Sequence, residues 1–284
     1  MRWSKPVTQR AKTLSKSYKK SEFMTDLTRI THLIIDMDGV LYRGEEPLPR
    51  LHDFFAFMRQ KPIPFILATN NSTRTSQQYV DKLERMGVQI SPEEVLTSGQ
   101  TLARILAREY PEGTRVHVFG MQALRDAIAE EGFVLANEDV DLVVASMDRE
   151  VTYEKLKRAA LLIHGGARFY ATNLDPTVPT EEGLAPGTGS LIATLETATA
   201  VTPTATGKPE PAMFNLAMDQ MGAKPEATAM IGDRLDTDIL GAQRAGLTSI
   251  FVLSGSNTRT EATEFNPDFI FEDIADLLNT WQSL

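Results

Sequence analysis

Two short acidic strings hold the residues best equipped for chemistry. The first, Asp36-Met37-Asp38-Gly39-Val40-Leu41, directly follows the apolar run His32-Leu33-Ile34-Ile35. Carboxylates two residues apart on extended backbone point to one side, and Gly39 lets the chain turn while both stay near a ligand. A calcium loop also begins Asp-x-Asp, but it needs Gly at position six and Glu at position twelve. Those positions hold Leu41 and Pro47, so the calcium reading fails. A solvated acidic turn is the remaining alternative. The second string, Gly232-Asp233-Arg234-Leu235-Asp236-Thr237-Asp238, follows Ala229-Met230-Ile231. A helix N-terminus accounts for Asp236 and can extend to Asp238. It accounts less well for Asp233, which leaves an apolar strand directly. Between the two strings, Thr69-Asn70-Asn71-Ser72-Thr73 joins an apolar run to a helical pattern. Its hydroxyls, amides and free N–H groups suit either a phosphate seat or a plain helix cap. Gly207-Lys208-Pro209 supplies an ammonium ahead of the helical run Phe214, Leu216, Met218 and Met221. It lacks the flanking residues of a Walker motif.

These strings need elements to position them, and the sequence supplies an alternation of short apolar runs and helical patterns. That alternation is the mark of a parallel sheet with helices on its faces. The runs His32–Ile35, Pro64–Ala68, Ala229–Ile231 and Ser249–Leu253 read as strands, and a helix through Tyr79, Leu83 and Met86 ends at Gly87. Three of the strands end at Asp36, Thr69 and Asp233. In an open parallel sheet ligands bind beyond the carboxyl ends of the strands, so these three residues are expected to converge. Thr69 and Lys208 are 139 positions apart, far more than one strand–helix–strand unit needs. The stretch has an alternation of its own, with strands expected at Arg115–Phe119, Asp141–Ala145 and Arg168–Thr172. The expected organisation is a discontinuous core of residues 25–110 and 203–284 with a second α/β domain, 111–202, inserted in it. Prolines 111 and 203 mark the linkers, and two connections permit hinge closure over a ligand.

Composition narrows the function classes. The formal charge is −9, and residues 1–23 carry seven Lys or Arg against Glu22 alone. The rest is therefore more acidic still, which disfavours a nucleic-acid partner. There is no cysteine, which excludes disulfides and thiolate chemistry and fits a reducing, cytoplasmic setting. No apolar run reaches membrane-spanning length. The basic segment 1–24 shows no sustained helical apolar face and reads as a flexible tail, or as an extension ahead of an initiator at Met24.

Taken in order, Asp36-Met37-Asp38-Gly39-Val40-Leu41, Thr69-Asn70-Asn71, Lys208-Pro209 and Gly232-Asp233…Thr237-Asp238 resemble the four signature motifs of the haloacid dehalogenase superfamily. Asp38 resembles its phosphatase branch. The large insertion after Thr69 is similar to the C2-capped subfamily of NagD-like, 4-nitrophenyl phosphate and phosphoglycolate phosphatases. So are the segments Met147–Leu156, Ala171–Asp175 and Pro186–Ser190; relatives often have Gly where Ser146 stands. The resemblance implies an α/β fold, a Rossmann-like parallel-sheet core with an inserted α/β cap. It also implies Mg2+-dependent hydrolysis of small phosphomonoesters through an aspartyl-phosphate. Asp36 would be the nucleophile and Asp38 the general acid and base. Asp36, the Asp38 carbonyl and Asp233 would hold the metal, and Thr69, Asn70, Asn71 and Lys208 the phosphate. Asp238 would hold Lys208 or a metal-bound water. By the matched segments, Met147 and the Val178-Pro179 turn would contact the leaving group, by shape rather than charge. Met147 as a plain core residue is the alternative. Partners on this reading are a small phosphorylated metabolite and, as in similar proteins, a second copy through the cap; nucleic acid and membrane are not expected. A phosphotransferase or mutase, and a catalytically silent phosphate sensor, are the competing readings. The four histidines are scattered and read as structural.

Overall fold

In the computed structural model, residues 26–180 and 182–284 are described; the tail expected at 1–24 lies outside them. The first sheet has six parallel strands. Their spatial order is Phe269–Phe271, Thr248–Val252, Thr228–Gly232, His32–Ile35, Phe65–Thr69 and Val95–Thr97. Side chains alternate across a strand, and here both faces are covered, so the strand interiors are apolar on both sides. Leu33, Ile35, Leu67, Ile231 and Ile250 pack on one side with Phe54, Leu83, Leu277 and Trp281 from flanking helices. Ile34, Ile66, Ala68 and Met230 pack on the other with Met213, Phe214, Ala217 and Ala242. Each such fully buried Leu, Ile or Phe contributes about 1.5–3 kcal/mol.

A second parallel sheet of five strands runs Thr204–Ala205, Arg168–Ala171, Leu142–Ala145, Arg115–Phe119 and Val134–Leu135. Val116, Val118, Leu142 and Val144 pack on one of its faces, Phe119, Val143, Phe169 and Ala171 on the other. Two elements outside 111–202 also join this sheet. The strand Thr204–Ala205 pairs at its edge, and the helix Ser98–Glu109 buries Leu102, Ala103 and Leu106 in its core. Among the described residues no helix is long and apolar enough to cross a membrane.

Two small antiparallel hairpins complete the fold: Tyr42–Arg43 with Glu46–Pro47, and Thr177–Thr180 with Gly183–Pro186. Val178 and Pro179, expected in a turn, are therefore strand residues. The pair stands apart from both large sheets, so proline's missing N–H interrupts no longer ladder. The string Asp236–Asp238 also departs from a plain helix start, because Leu235–Ile239 forms a π-helical turn ahead of the helix Leu240–Ala245.

Candidate active site

Asp36, Thr69 and Asp233 stand at the carboxyl ends of three adjacent strands and line one cavity of about 550 Å³. Asp38, Asn70, Asn71, Lys208 and Asp238 line it too. So do Met147, Val178 and Pro179 from the inserted segment. The chain thus gathers around one cavity every residue given a site role in the sequence.

The centre of the cluster is an ammonium shared by carboxylates. Lys208 Nζ lies 2.6 Å from Asp36 Oδ1 and 2.7 Å from Asp238 Oδ1, and donates to Ala68 O at 3.0 Å. Burial alone would pull this lysine down, but Asp238 and Asp36 overcome it and raise it above the ordinary lysine value. Carboxylate oxygens of Asp36, Asp233 and Asp238 all fall within 4.8 Å of one another. Burial pushes the Asp36 carboxyl well up, Lys208 opposes that, and Asp238 and Asp233 add to it. Asp233 is raised to about 6, by burial first and by Asp238 second. Its Oδ2 accepts from Ser256 N at 2.7 Å, while its Oδ1 is buried with no hydrogen-bond partner. A buried carboxylate oxygen without a donor is costly. Clustered with two more carboxylates in an all-oxygen set, it suits a hard divalent cation.

Backbone shape makes this crowding feasible. Gly39 has φ +83°, and a Cβ there would lie 2.6 Å from Asp233 Oδ2; at Gly255 it would lie 1.9 Å away. Two glycines therefore let main chain close on the Asp233 carboxylate from two sides. Asp38 lies just beyond, exposed to the cavity. The surrounding walls raise its carboxyl above the usual range, and Lys82 and then Arg74 oppose that.

The loop after Thr69 holds itself and Lys208 in place. Thr69 Oγ1 accepts from Asn71 N at 3.1 Å, and Asn71 Oδ1 accepts from Thr73 N and Oγ1. Thr75 and Gln78 then form a reciprocal cap on the helix Ser76–Arg85. Asn70, expected on phosphate, uses its side chain elsewhere. Its Oδ1 accepts from Lys208 N and its Nδ2 donates to Lys208 O, both at 2.8 Å, and Nδ2 also reaches Asp175. The amide grips the lysine main chain, so only the backbone of Asn70 is left for a phosphate.

The same loop is tied to the inserted segment. Asn173 Nδ2 donates to Asn70 O at 2.8 Å, and Gly207 N to Thr172 O at 2.8 Å. Ser146, fully buried, hydrogen-bonds Thr172 Oγ1 at 2.6 Å and also Ser72 Oγ. Arg234 Nη1 lies 3.7 Å from Asp175.

Sequence reasoning missed the charged part of the wall. Arg74, Lys82, Arg149 and Arg234 all line the cavity, so its rim is not governed by apolar shape alone. Lys82 is buried with Nζ 3.7 Å above the Tyr42 ring and 3.6 Å from Glu45. Adjacency was the available signal: Arg74 follows the Thr69–Thr73 string and Arg149 lies two residues past Met147.

Comparison with known proteins agrees with this geometry. A profile described as haloacid dehalogenase-like hydrolase matches residues 33–134, and a second, HAD-hydrolase-like, matches residues 205–277. An acid sugar phosphatase of Staphylococcus aureus is 37% identical over 244 residues, 85% of this chain and 94% of its own length. The chain belongs to the haloacid dehalogenase-like hydrolase family. A 4-nitrophenylphosphatase from Thermotoga maritima superposes with a TM-score of 0.85 at 34% identity, covering 88% of this chain and 97% of its own. A glycerol phosphate phosphatase from Mycobacterium tuberculosis, in complex with magnesium, gives 0.82 at 35% identity, covering 88% and 76%. The α/β core with an additional α/β segment is thus shared with phosphatases of this family.

Proposed function

We propose that this hydrolase is a Mg2+-dependent phosphatase of small phosphomonoesters, working through a phosphoryl group carried on Asp36. The carrying observation is the shared ammonium: Lys208 Nζ sits 2.6 Å from Asp36 and 2.7 Å from Asp238, beside the unpartnered Asp233 Oδ1. The carboxylates of Asp36 and Asp233, with the Asp38 carbonyl, would hold the cation. When bound there, Mg2+ supplies positive charge that offsets repulsion between the carboxylate and a phosphate dianion.

The chain's own residues account for the rest. A carboxylate oxygen of Asp36 attacks phosphorus as the bond to the leaving alkoxide breaks, splitting one hard displacement into two. Lys208 opposes the burial that raises the Asp36 carboxyl and faces the incoming charge. Asp38, raised by its surroundings, gives its proton to the departing oxygen. It then takes one from the water that releases phosphate and restores Asp36. Thr69 and the main chain of Asn70 and Asn71 would seat the non-reacting phosphate oxygens. Asp238 positions Lys208, its Oδ2 anchored by Arg234 N at 3.0 Å.

The inserted segment, on this reading, acts as a cap. Met147, Val178 and Pro179 would meet the leaving group, with Arg74 and Arg149 available to an anionic or hydroxyl-rich one. Related phosphatases act, by their names, on sugar and glycerol phosphates and on 4-nitrophenyl phosphate. Metabolites of that size suit a cavity of about 550 Å³, and the cysteine-free acidic chain suits cytoplasmic work. The test is phosphate release from 4-nitrophenyl phosphate and a panel of sugar, polyol and carboxylate phosphates, ranked by kcat/KM with and without Mg2+. Metal-dependent turnover that vanishes in Asp36→Asn is expected. Equal turnover by that variant refutes the assignment.

A further inference from the structure

The inserted segment encloses a second cavity of about 410 Å³, whose lining shares no residue with the first. Arg125, Lys155, Lys157 and Arg158 line it together with Asp148 and Glu154, an excess of cations in a chain of formal charge −9. Both lysines are engaged: Lys155 Nζ lies 2.8 Å from Asp148 and Lys157 Nζ 3.2 Å from Glu154. The arginines pair with no carboxylate among the described residues. Arg125 donates to Val118 O at 3.0 Å and Arg158 to Asn137 O at 3.3 Å. Each guanidinium has five N–H donors, so most remain free for an anion.

The buried His117 lines the same cavity. Its Nδ1 stands 3.3 Å from Ala136 O. A carbonyl only accepts, so Nδ1 carries the ring proton and Nε2 is left as an acceptor. Burial pushes this imidazole down, the Ala136 and Asn137 oxygens oppose that, and Arg125 and Arg158 add to it, so the balance favours the neutral ring. Two uncommitted guanidinium groups beside a neutral acceptor suit an oxyanion that also bears a hydroxyl.

A route leads from here to the first cavity. The buried Asp148 accepts from Lys155 Nζ through Oδ2 and from Glu150 N through Oδ1, both at 2.8 Å. Its sequence neighbours Met147 and Arg149 line the cavity that contains Asp36. An anion that draws Lys155 away from Asp148 loosens the turn that presents those two side chains.

We propose that this second cavity is a regulatory site for a small phosphate-bearing anion with a hydroxyl donor, coupled to the leaving-group pocket through Lys155 and Asp148. The coupling rests on a loss of fit for the leaving group, so occupancy raises KM more than it lowers kcat.

Calorimetric titration of the full-length, Mg2+-loaded enzyme with inorganic phosphate tests the site, beside sulfate, which lacks a hydroxyl donor at pH 7.5, and glycerol phosphate. Phosphate should bind one equivalent more in the parent than in an Arg125→Gln/Arg158→Gln variant, and sulfate at least tenfold more weakly at that equivalent. Retained turnover of 4-nitrophenyl phosphate without added phosphate reports that the variant is folded. If it does not fold, Arg158→Gln alone, at an exposed side chain, should weaken the second event at least threefold. In the parent, phosphate should raise KM beyond simple competitive inhibition by threefold or more. The arginine variant should show the competitive component alone. Identical stoichiometry, affinity and inhibition pattern in parent and variant overturn the proposal. Loss of the shared, Asp36-dependent event alone would count against the phosphatase reading instead.

Discussion

Replacing Asp233 by Asn tests the electrostatics of the candidate metal site directly. Asp233 is 2% exposed, and its carboxyl is raised from 3.8 to about 6 in the absence of metal. A folded-state value above the unfolded one means that folding favours the protonated form. The associated stability is present below about pH 4 and is lost as pH rises through about 6. A shift of roughly two units corresponds to about 3 kcal/mol at pH 7.5. Asn keeps an oxygen for Ser256 N, holds no charge and preserves volume. In chelator at pH 7.5 the Asp233→Asn protein should therefore melt several degrees above the parent, since about 1 kcal/mol moves a chain of this size by about 2–4 °C. The difference should narrow as pH falls through about 6 and close only below about pH 4, where Asp233 is protonated in both states of the parent. Adding Mg2+ at pH 7.5 should reverse the ranking. A ligand at 100 times its Kd stabilises the parent by about 2.7 kcal/mol, and the variant, short of one carboxylate, should gain far less. Differential scanning calorimetry across pH, with chelator and with Mg2+, reads all of this. A variant that melts below the parent in chelator at pH 7.5, and still gains fully from Mg2+, refutes the reasoning.

Three further outcomes follow from the same geometry. Asp38→Asn should keep the fold and slow kcat by about 10²–10⁴-fold by removing general acid–base help, as steady-state kinetics with 4-nitrophenyl phosphate would show. Lys208→Ala should abolish turnover and cost about 3–5 kcal/mol in denaturant melts, because it leaves Asp36 and Asp238 buried without their ammonium. Gly207→Ala places a Cβ 2.4 Å from Thr172 O and 2.7 Å from Asn70 Oδ1. It should cost about 1–3 kcal/mol and lower kcat by displacing Lys208, which a stability-matched surface variant would not do.

Much of this architecture is legible in the chain because its strands are covered on both faces. His32–Ile35 and Phe65–Thr69 are nearly continuous apolar runs with strand-forming side chains, and the structure places strands there. The convergence of Asp36, Thr69 and Asp233 followed from strand ends in a parallel sheet, a rule about topology rather than about any one residue. What escaped depends on contacts distant in sequence. Nothing in the string Asn70-Asn71 reveals that one amide grips a lysine 138 positions away while the other closes a local turn. Val178-Pro179 reads as a turn because proline usually ends strands, yet an isolated hairpin tolerates it. Helix Ser98–Glu109 has small residues on much of its buried side, Ser98, Gly99, Thr101 and Ala103, which weaken its apolar pattern in one dimension. The cationic wall escaped because Arg74, Lys82 and Arg149 come from separate elements and meet only in three dimensions.

Asn70 spans the seam between the two halves of the molecule: it clasps the peptide of Lys208, touches Asp175, and takes a donor from Asn173. Any shift of the segment bearing Asn173 and Asp175 would therefore tug on the very rung that carries the ammonium. Grafting a foreign segment onto this base would have to bring along partners for that asparagine, or leave the lysine's peptide without its clasp.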